Sequence, residues 1–255
     1  MAHILKALEK QDQKFVKESG TSGPLDDHLY MYNMPYSYTA EQIRKLRTFI
    51  FHLADRPVPR VIMVTSALPG EGKTLISSNL AIAIAKGEDQ QVLLVDCDLR
   101  KPSLHELFKY PLSKGVGDII QGRADVSECL IKTSIEKLTI LPAAKELPAN
   151  PSELLESKKT GALIKELADR DGDWFVIIDT PPIQATVDPR ILADVVDGII
   201  IVVRYRYARE SEFKMALEAL PKDKIIGTVL NAVDELPVKK YKYNKYKNYN
   251  NYYNR

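Results

Sequence analysis

From Val61 onward the chain alternates short apolar runs with longer amphipathic stretches. The apolar runs are VIMVTS (61–66), VLLVD (92–96), LTILP (138–142), WFVIID (174–179), GIIIVVR (198–204) and IIGTVLN (225–231). They are rich in Val, Ile and Leu and lack polar alternation, as strands buried on both faces do. Between them, 73–86, 102–108, 152–170, 189–195 and 208–220 carry helical spacing. Strand and helix in alternation predict an α/β domain, a mostly parallel sheet flanked by helices on both faces. A chain of 255 residues with 45% hydrophobic content can bury one such core and still carry extensions.

The flanks follow other patterns. Residues 3–17 fit a helix with Ile4, Leu8 and Phe15 on one stripe and Lys6, Lys10, Lys14 and Lys17 on another. Such a helix suits a partner or a membrane surface, or is simply solvated. Residues 18–38 bring Ser, Gly, Pro and scattered Tyr without period, as linkers do. Thr39 followed by Gln42 fits a capping box, which predicts a helix from there to about Leu53 with Ile43, Leu46, Ile50 and Leu53 as its apolar seam. Glu41, Arg44 and Arg47 lie three apart on another face, either as a docking surface or as an internal Glu41–Arg44 pair.

No apolar residue follows Val238. The end, KKYKYNKYKNYNNYYNR (239–255), cannot bury enough surface to fold and reads as a disordered, accessible tail. Six of the thirteen tyrosines crowd into it: Tyr241, Tyr243, Tyr246, Tyr249, Tyr252 and Tyr253. The expected division is therefore 1–38 as amphipathic helix and linker, 39–235 as the folded domain with 39–53 as its outer helix, and 236–255 as the tail.

Charge and cysteine content narrow the function classes. Net charge is +2, but residues 236–255 carry six basic residues and no acid, which leaves the remainder at −4. The body is therefore mildly acidic and only the tail is basic; such a tail suits acidic headgroups or nucleic acid, or is a solubilising extension, with nucleic-acid binding not expected. Cys97 and Cys129 make no CxxC or Cys/His cluster, so neither a zinc site nor a disulfide framework is expected, and both read as small core residues. With no run of ~20 apolar residues and no signal-like h-region, the chain reads as cytosolic or peripheral.

The chemistry lies at the carboxyl ends of three of the strands. After 61–66 comes Ala67-Leu68-Pro69-Gly70-Glu71-Gly72-Lys73-Thr74, a phosphate-binding loop with Ala67 where the usual first glycine stands. Gly70 and Gly72 let the backbone approach, so that loop amides and the helix N-terminus face phosphate oxygens. Lys73 is expected to reach the β and γ phosphates and Thr74 to ligate Mg²⁺. The second strand ends Val95-Asp96-Cys97-Asp98, and period-2 alternation sends Asp96 and Asp98 to one side. The run 175–178 delivers Asp179, followed by Thr180-Pro181-Pro182, at the position of an acid that holds Mg²⁺ through water. Singly, each Asp is more commonly a cap or turn residue; convergence with the loop is what makes them a site.

With these motifs in place the chain resembles the bacterial tyrosine kinases of exopolysaccharide and capsule synthesis, within the deviant-Walker P-loop ATPases that include MinD and ParA. The resemblance runs from Thr39 to the end and rests on SALPGEGKT (66–74) as Walker A, LLVDCDLR (93–100) as Walker A′, FVIIDTPP (175–182) as Walker B, EQIRKLR (41–47) and the tyrosine tail. EQIRKLR matches the family's ExxRxxR pattern, which implies that Glu41, Arg44 and Arg47 dock each subunit on its neighbour in a ring, an octamer by resemblance. MinD and ParA relatives have a signature lysine where this chain has Leu68, so a nucleotide-sandwich dimer is not implied. The resemblance further implies ATP and Mg²⁺ as cofactors, a nucleotide site of Pro69, Gly70, Glu71, Gly72, Lys73, Thr74 and Leu75, and an adenine contact from Asn231. Asn231 equally suits a strand-ending turn. Asn150-Pro151 matches a loop typical of the family.

The expected reaction is transfer of the ATP γ-phosphoryl group to tail tyrosines of an adjacent subunit. Asp96 is the candidate base, and Thr74, Asp98 and Asp179 are the metal-site residues, with exchange of roles between Asp96 and Asp98 left open. The implied partners are a membrane-spanning activator of the polysaccharide co-polymerase kind and a cognate tyrosine phosphatase, with the chain at the inner face of the membrane. A MinD- or ParA-like ATPase anchored by its basic tail is one alternative, against which Leu68 and EQIRKLR count. A nucleotide-dependent interaction module is the other.

Overall fold

The computed structural model describes residues 24–233 except 55, 147 and 169–173. The 3–17 helix and the tail tyrosines from Tyr241 to Tyr253 therefore lie outside the described residues. In chain order the elements are α1 (Tyr30–Asn33), α2 (Tyr38–Phe51), β1 (Val61–Ser66), α3 (Lys73–Ala85), β2 (Gln91–Asp96), α4 (Leu104–Phe108), α5 (Val116–Ile120) and α6 (Val126–Cys129). They continue with β3 (Ile131–Lys132), β4 (Leu138–Leu141), α7 (Pro151–Glu156), α8 (Lys158–Ala168), β5 (Trp174–Asp179), α9 (Asp188–Ala193), β6 (Gly198–Arg204), α10 (Glu210–Glu218) and β7 (Ile225–Asn231).

Among the described residues seven strands form one sheet in the order β3-β4-β2-β5-β1-β6-β7. All pairings are parallel except β3 with β4, a two-residue antiparallel edge that the sequence pattern did not announce. Strand pleating divides the core in two. Ile62 and Val64 face the layer that holds Leu80, Ile82 and Ile84 of α3, whereas Val61 and Met63 face Leu163, Leu167, Leu192 and Ala216 of α8, α9 and α10. Each fully buried Ile, Leu or Val contributes roughly 1.5–3 kcal/mol, and β1, buried at every position, shows why its sequence lacks alternation.

Helix α3 is buried without interruption from Ile76 to Ala85, so along that length it has no solvent-facing side. Sheet covers one side of it, and α1 and α2 cover the other. The α2 seam is as expected: Ile43 and Ile50 are buried, and Leu46 and Leu53 pack against the same cluster. Its start is not. The N-cap is Ser37, whose hydroxyl accepts from the Ala40 amide at 3.2 Å, while Thr39 sits inside the helix and Gln42 Nε2 is buried without a hydrogen bond. A Ser two residues earlier satisfied the orphan amides first.

Two further departures have local causes. The stretch expected as linker is, in its described part, packed: Leu25, Leu29 and Met31 are buried, the Met31 amide donates to Asn79 Oδ1 (3.0 Å), and Asn79 Nδ2 donates to the His28 carbonyl (3.0 Å). The single helix expected at 152–170 is two, because Ser157 adopts an extended conformation and the Thr160 hydroxyl donates to the Leu154 carbonyl at 3.0 Å. Both cysteines are free and buried; burial first, then nearby carboxylates, pushes Cys129 up to about 12 and Cys97 well above the ordinary thiol range. They remain protonated core residues. Among the described residues no helix is long and apolar enough to cross a membrane.

Candidate phosphate and metal site

The order β2-β5-β1 places three carboxyl-terminal strand ends side by side, which is where open α/β sheets bind ligands. Register fixes the alignment: Asp96 pairs with Asp179, and Asp179 with Val64, so both acids flank the point where β1 turns into the phosphate loop. Cross-links hold these ends together. The Cys97 amide donates to the Asp179 carbonyl (2.8 Å), the Thr180 hydroxyl to the Val64 carbonyl (3.0 Å) and the Thr65 hydroxyl to the Pro181 carbonyl (3.0 Å).

The loop has the backbone its glycines predict. Gly70 and Gly72 have φ of +78° and +93°, and Gly72 is the N-cap of α3. A side chain at Gly72 would in addition run into the Asn231 amide, which would have to shift from its bond to the Glu71 carbonyl. Glu71, fully buried, is the loop's internal strut. Its Oε2 accepts from the Leu68 amide (2.7 Å) and its Oε1 from the Arg204 amide (3.2 Å), which ties the loop to β6. Leu68, the position of the missing signature lysine, packs its side chain on the second core cluster.

Asn231 Nδ2 donates to the Glu71 carbonyl at 2.9 Å, while Asn231 Oδ1 accepts from the Ala232 amide at 2.8 Å. The described structure thus spends the Asn231 side chain on bracing the loop and ending β7. Pro69 and Gly70 are exposed, and Leu75 lies in the first turn of α3.

Lys73, Asp96, Asp98 and Asp179 come together. Lys73 Nζ lies 3.2 Å from Asp98 Oδ2. Burial alone would depress the ammonium, but Asp179, Asp98 and Asp96 outweigh it, and Lys73 is raised above its ordinary value. Burial, then Asp179 and Asp98, drives Asp96 well above the carboxylate range, although the Asp98 amide (3.1 Å) and the Leu104 amide (3.4 Å) donate to it. Asp179 is pushed up to about 6 by burial, against the pull of Lys73. A carboxylate of raised proton affinity is suited to accept a proton near neutral pH.

The acids do not form a cage of direct metal ligands among the described residues; what they share is Lys73. Both Asp179 oxygens are buried with no donor in hydrogen-bonding geometry, while the nearby Thr74 and Ser77 hydroxyls are close enough to pull its proton affinity down somewhat. Buried polar atoms are nearly always paired, so this pair of orphan acceptors fits donors that arrive with a ligand. Hydrated Mg²⁺ is such a donor, since it keeps several waters and takes only one or two protein ligands.

Several residues here escaped sequence reasoning. The Ser103 hydroxyl donates to Thr74 Oγ1 at 3.2 Å, Lys101 donates its amide to Asp98 Oδ1 at 3.0 Å, and the Tyr207 ring stands beside Gly70. None belongs to a motif; only the paths of the loops after β2 and β6 bring them in.

On α2, Glu41 Oε2 pairs with Arg44 Nη1 at 2.6 Å, and Arg44 Nη2 donates to the Pro35 carbonyl. Arg47 Nη1 donates to the Ala83 carbonyl in the last turn of α3 (2.9 Å). The internal pair anticipated from spacing is therefore formed. Asn150 is exposed at the N-cap of α7, with Pro151 buried behind it.

Comparison with known proteins agrees with this geometry. A family model described as an AAA domain matches residues 59–219. The tyrosine-protein kinase YwqD of Bacillus subtilis (strain 168) is 36% identical over 202 residues, covering 77% of this chain and 82% of YwqD. CapB of Staphylococcus aureus is 32% identical over 227 residues, covering 88% of this chain and 94% of CapB. The crystal structure of the chimerical protein CapA2B2 superimposes with a TM-score of 0.74 at 30% identity, covering 87% of this chain and 97% of that one. The chain belongs to the bacterial tyrosine-protein kinase family of P-loop ATPases.

Proposed function

We propose that this chain is an ATP-dependent protein-tyrosine autokinase that modifies Tyr241, Tyr243, Tyr246, Tyr249, Tyr252 and Tyr253 of a neighbouring subunit within a ring. The observation that carries the proposal is the cluster of Lys73, Asp96, Asp98 and Asp179 beside a loop whose two glycines hold left-handed backbone. Phosphoryl transfer asks a protein mainly for alignment and charge neutralisation. A tyrosine oxygen attacks the γ phosphorus, the bond to the β–γ bridging oxygen breaks, ADP leaves, and the phenolic proton passes to Asp96. The phenol's pKa of about 10 makes a nearby acceptor valuable as the new bond forms.

Lys73 and the loop amides at 70–74 bind and orient the phosphates. Thr74 would hold Mg²⁺ directly, with Asp98 and Asp179 on its waters, and the ion would supply neutralisation of charge on the phosphates. Pro69, Glu71, Leu75 and Asn231 complete the nucleotide site, Glu71 and Asn231 by bracing the loop and Asn231 also from beside the base. Glu41, Arg44 and Arg47 contribute to docking between subunits in an octamer. Regulation of exopolysaccharide and capsule synthesis follows, through a membrane-spanning co-polymerase that activates the kinase at the inner face of the membrane and a phosphatase that resets it.

The test mixes two proteins with Mg·ATP: wild type lacking residues 236–255 as the enzyme, and Lys73→Met with its tail as the acceptor. Intact-mass analysis should show successive phosphate additions on the acceptor alone. Hydrolysis of ATP with an unmodified acceptor, in the presence of the activator's cytosolic fragment, would replace the proposal with the ATPase alternative.

A further inference from the structure

Asp188 opens α9 with its side chain fully buried, and both its oxygens are engaged by distant parts of the chain. Arg100 Nε donates to Oδ2 at 3.1 Å, and the Ser152 hydroxyl donates to Oδ1 at 2.6 Å. Arg100 Nη2 closes the triangle by donating to Ser152 Oγ at 2.7 Å. Three hydrogen bonds thus join the loop after β2, the second residue of α7, and the start of α9.

Burying a carboxylate costs several kcal/mol unless it is paired and fully hydrogen-bonded, so a site that meets every term of that requirement is a constrained one. What it constrains lies two residues away. Asp98 Oδ1 is held by the Lys101 amide and Asp98 Oδ2 faces Lys73, so the turn 98–101 sets the direction of the Asp98 carboxylate. Arg100 is the side chain that anchors that turn to the helices. A planar guanidinium that reaches two acceptors through Nε and Nη2 fixes orientation as well as distance, which a lysine cannot do.

We infer that Arg100, Ser152 and Asp188 form a positioning brace that aims Asp98 at the metal waters. The inference rests on the metal role of Asp98 proposed above, and it adds a physical reason for the loop at Asn150-Pro151 to sit beside Walker A′: that loop delivers Ser152. Partners of this outer kind, when removed, typically weaken a metal site about 10- to 100-fold.

The test reads metal-dependent binding rather than turnover. The full chain is titrated with a fluorescent ADP analogue across a range of Mg²⁺ concentrations, and in EDTA. Ser152→Ala and Arg100→Lys should each raise the Mg²⁺ midpoint about tenfold while leaving the affinity in EDTA within twofold. Thr160→Ala, which removes a hydrogen bond to the same α7 without touching Arg100, should leave the midpoint unchanged. Thermal melts establish that each variant is folded, and the exposed half of Arg100 makes Arg100→Lys the safer substitution. An unmoved midpoint in both brace variants, an equal shift in Thr160→Ala, or a wild type indifferent to Mg²⁺ would overturn the inference. A wild type that binds Mg·nucleotide but modifies no tyrosine would instead refute the kinase proposal and leave the brace measurable.

Discussion

Lys73 Nζ stands 3.2 Å from Asp98 Oδ2, an ion pair that links the phosphate loop to the end of β2. The lysine is therefore structural as well as chemical, since it sits among three buried carboxylates. Its raised pKa means that its stabilisation is fully present below the unfolded value of 10.5 and is lost only above the folded one. Lys73→Met should abolish transfer and also destabilise the fold at pH 8, by on the order of 3 kcal/mol, because it leaves buried charge uncompensated. Acidification to pH 5, below the Asp179 value of about 6, protonates Asp179 and should shrink the deficit. Urea melts at both pH values check this; equal stability of the two proteins throughout would refute it.

Asp179 presents the opposite sign. Its folded value of about 6 lies above the ordinary 3.8, so the native state binds the proton more tightly than the unfolded chain and stability falls as pH rises between those values. Asp179→Asn cannot ionise. The variant should unfold later than wild type at pH 7, by on the order of 2 kcal/mol, and match it near pH 4. It should also lose most tyrosine phosphorylation. A variant less stable than wild type at pH 7 would show that the burial cost of this carboxylate is already met.

Gly72 carries two independent constraints, a φ of +93° and the Asn231 amide in the space that a Cβ would take. Gly72→Ala should weaken nucleotide binding at least about tenfold and lower the melting temperature, given strain of about 1–3 kcal/mol in this backbone region plus the clash. Asn231→Ala removes the clash but not the strain. Because Asn231→Ala also removes the brace on the Glu71 carbonyl, the double variant is compared with Asn231→Ala alone in a calorimetric titration: it should bind more weakly, and equal affinity would mean that the left-handed backbone contributes nothing.

Glu41 and Arg47 should separate assembly from folding. Arg47 donates to the Ala83 carbonyl at 2.9 Å, a charged hydrogen bond worth about 1.5–3 kcal/mol, whereas the half-exposed Glu41–Arg44 pair is worth about 0.5 kcal/mol or less. Arg47→Ala should lower both the melting temperature and the oligomer size, and Glu41→Ala the oligomer size alone. Light scattering after size exclusion reads the mass. An undiminished assembly in Glu41→Ala would remove this face from the ring.

The tail carries six positive charges, and each phosphate adds about −1.5 to −2. Four or more additions would cancel or invert its charge and end the attraction. Wild type treated with Mg·ATP should fall apart on a sizing column, while a tail with every Tyr replaced by Phe should stay assembled. Fully phosphorylated protein of unchanged size would end the charge-switch idea.

Sequence alone determined the α/β class, the strands carrying each acid, the loop glycines and the α2 seam, because these follow from local hydrophobic period and backbone sterics. Local signals also misled: Thr39 and Gln42 matched a cap, yet Ser37 took that role, and 152–170 kept one period across a break at Ser157. Tertiary structure alone decided which partners the polar residues found. Glu71 with Arg204, Asn231 with Glu71, Ser103 with Thr74 and Arg100 with Asp188 are pairs separated by 29 to 160 positions, joined only when the sheet order brings distant strand ends together. Periodicity records which face of an element is buried. It holds no record of which residue will meet it there, and the altered proton affinities of Lys73, Asp96 and Asp179 arise from those meetings.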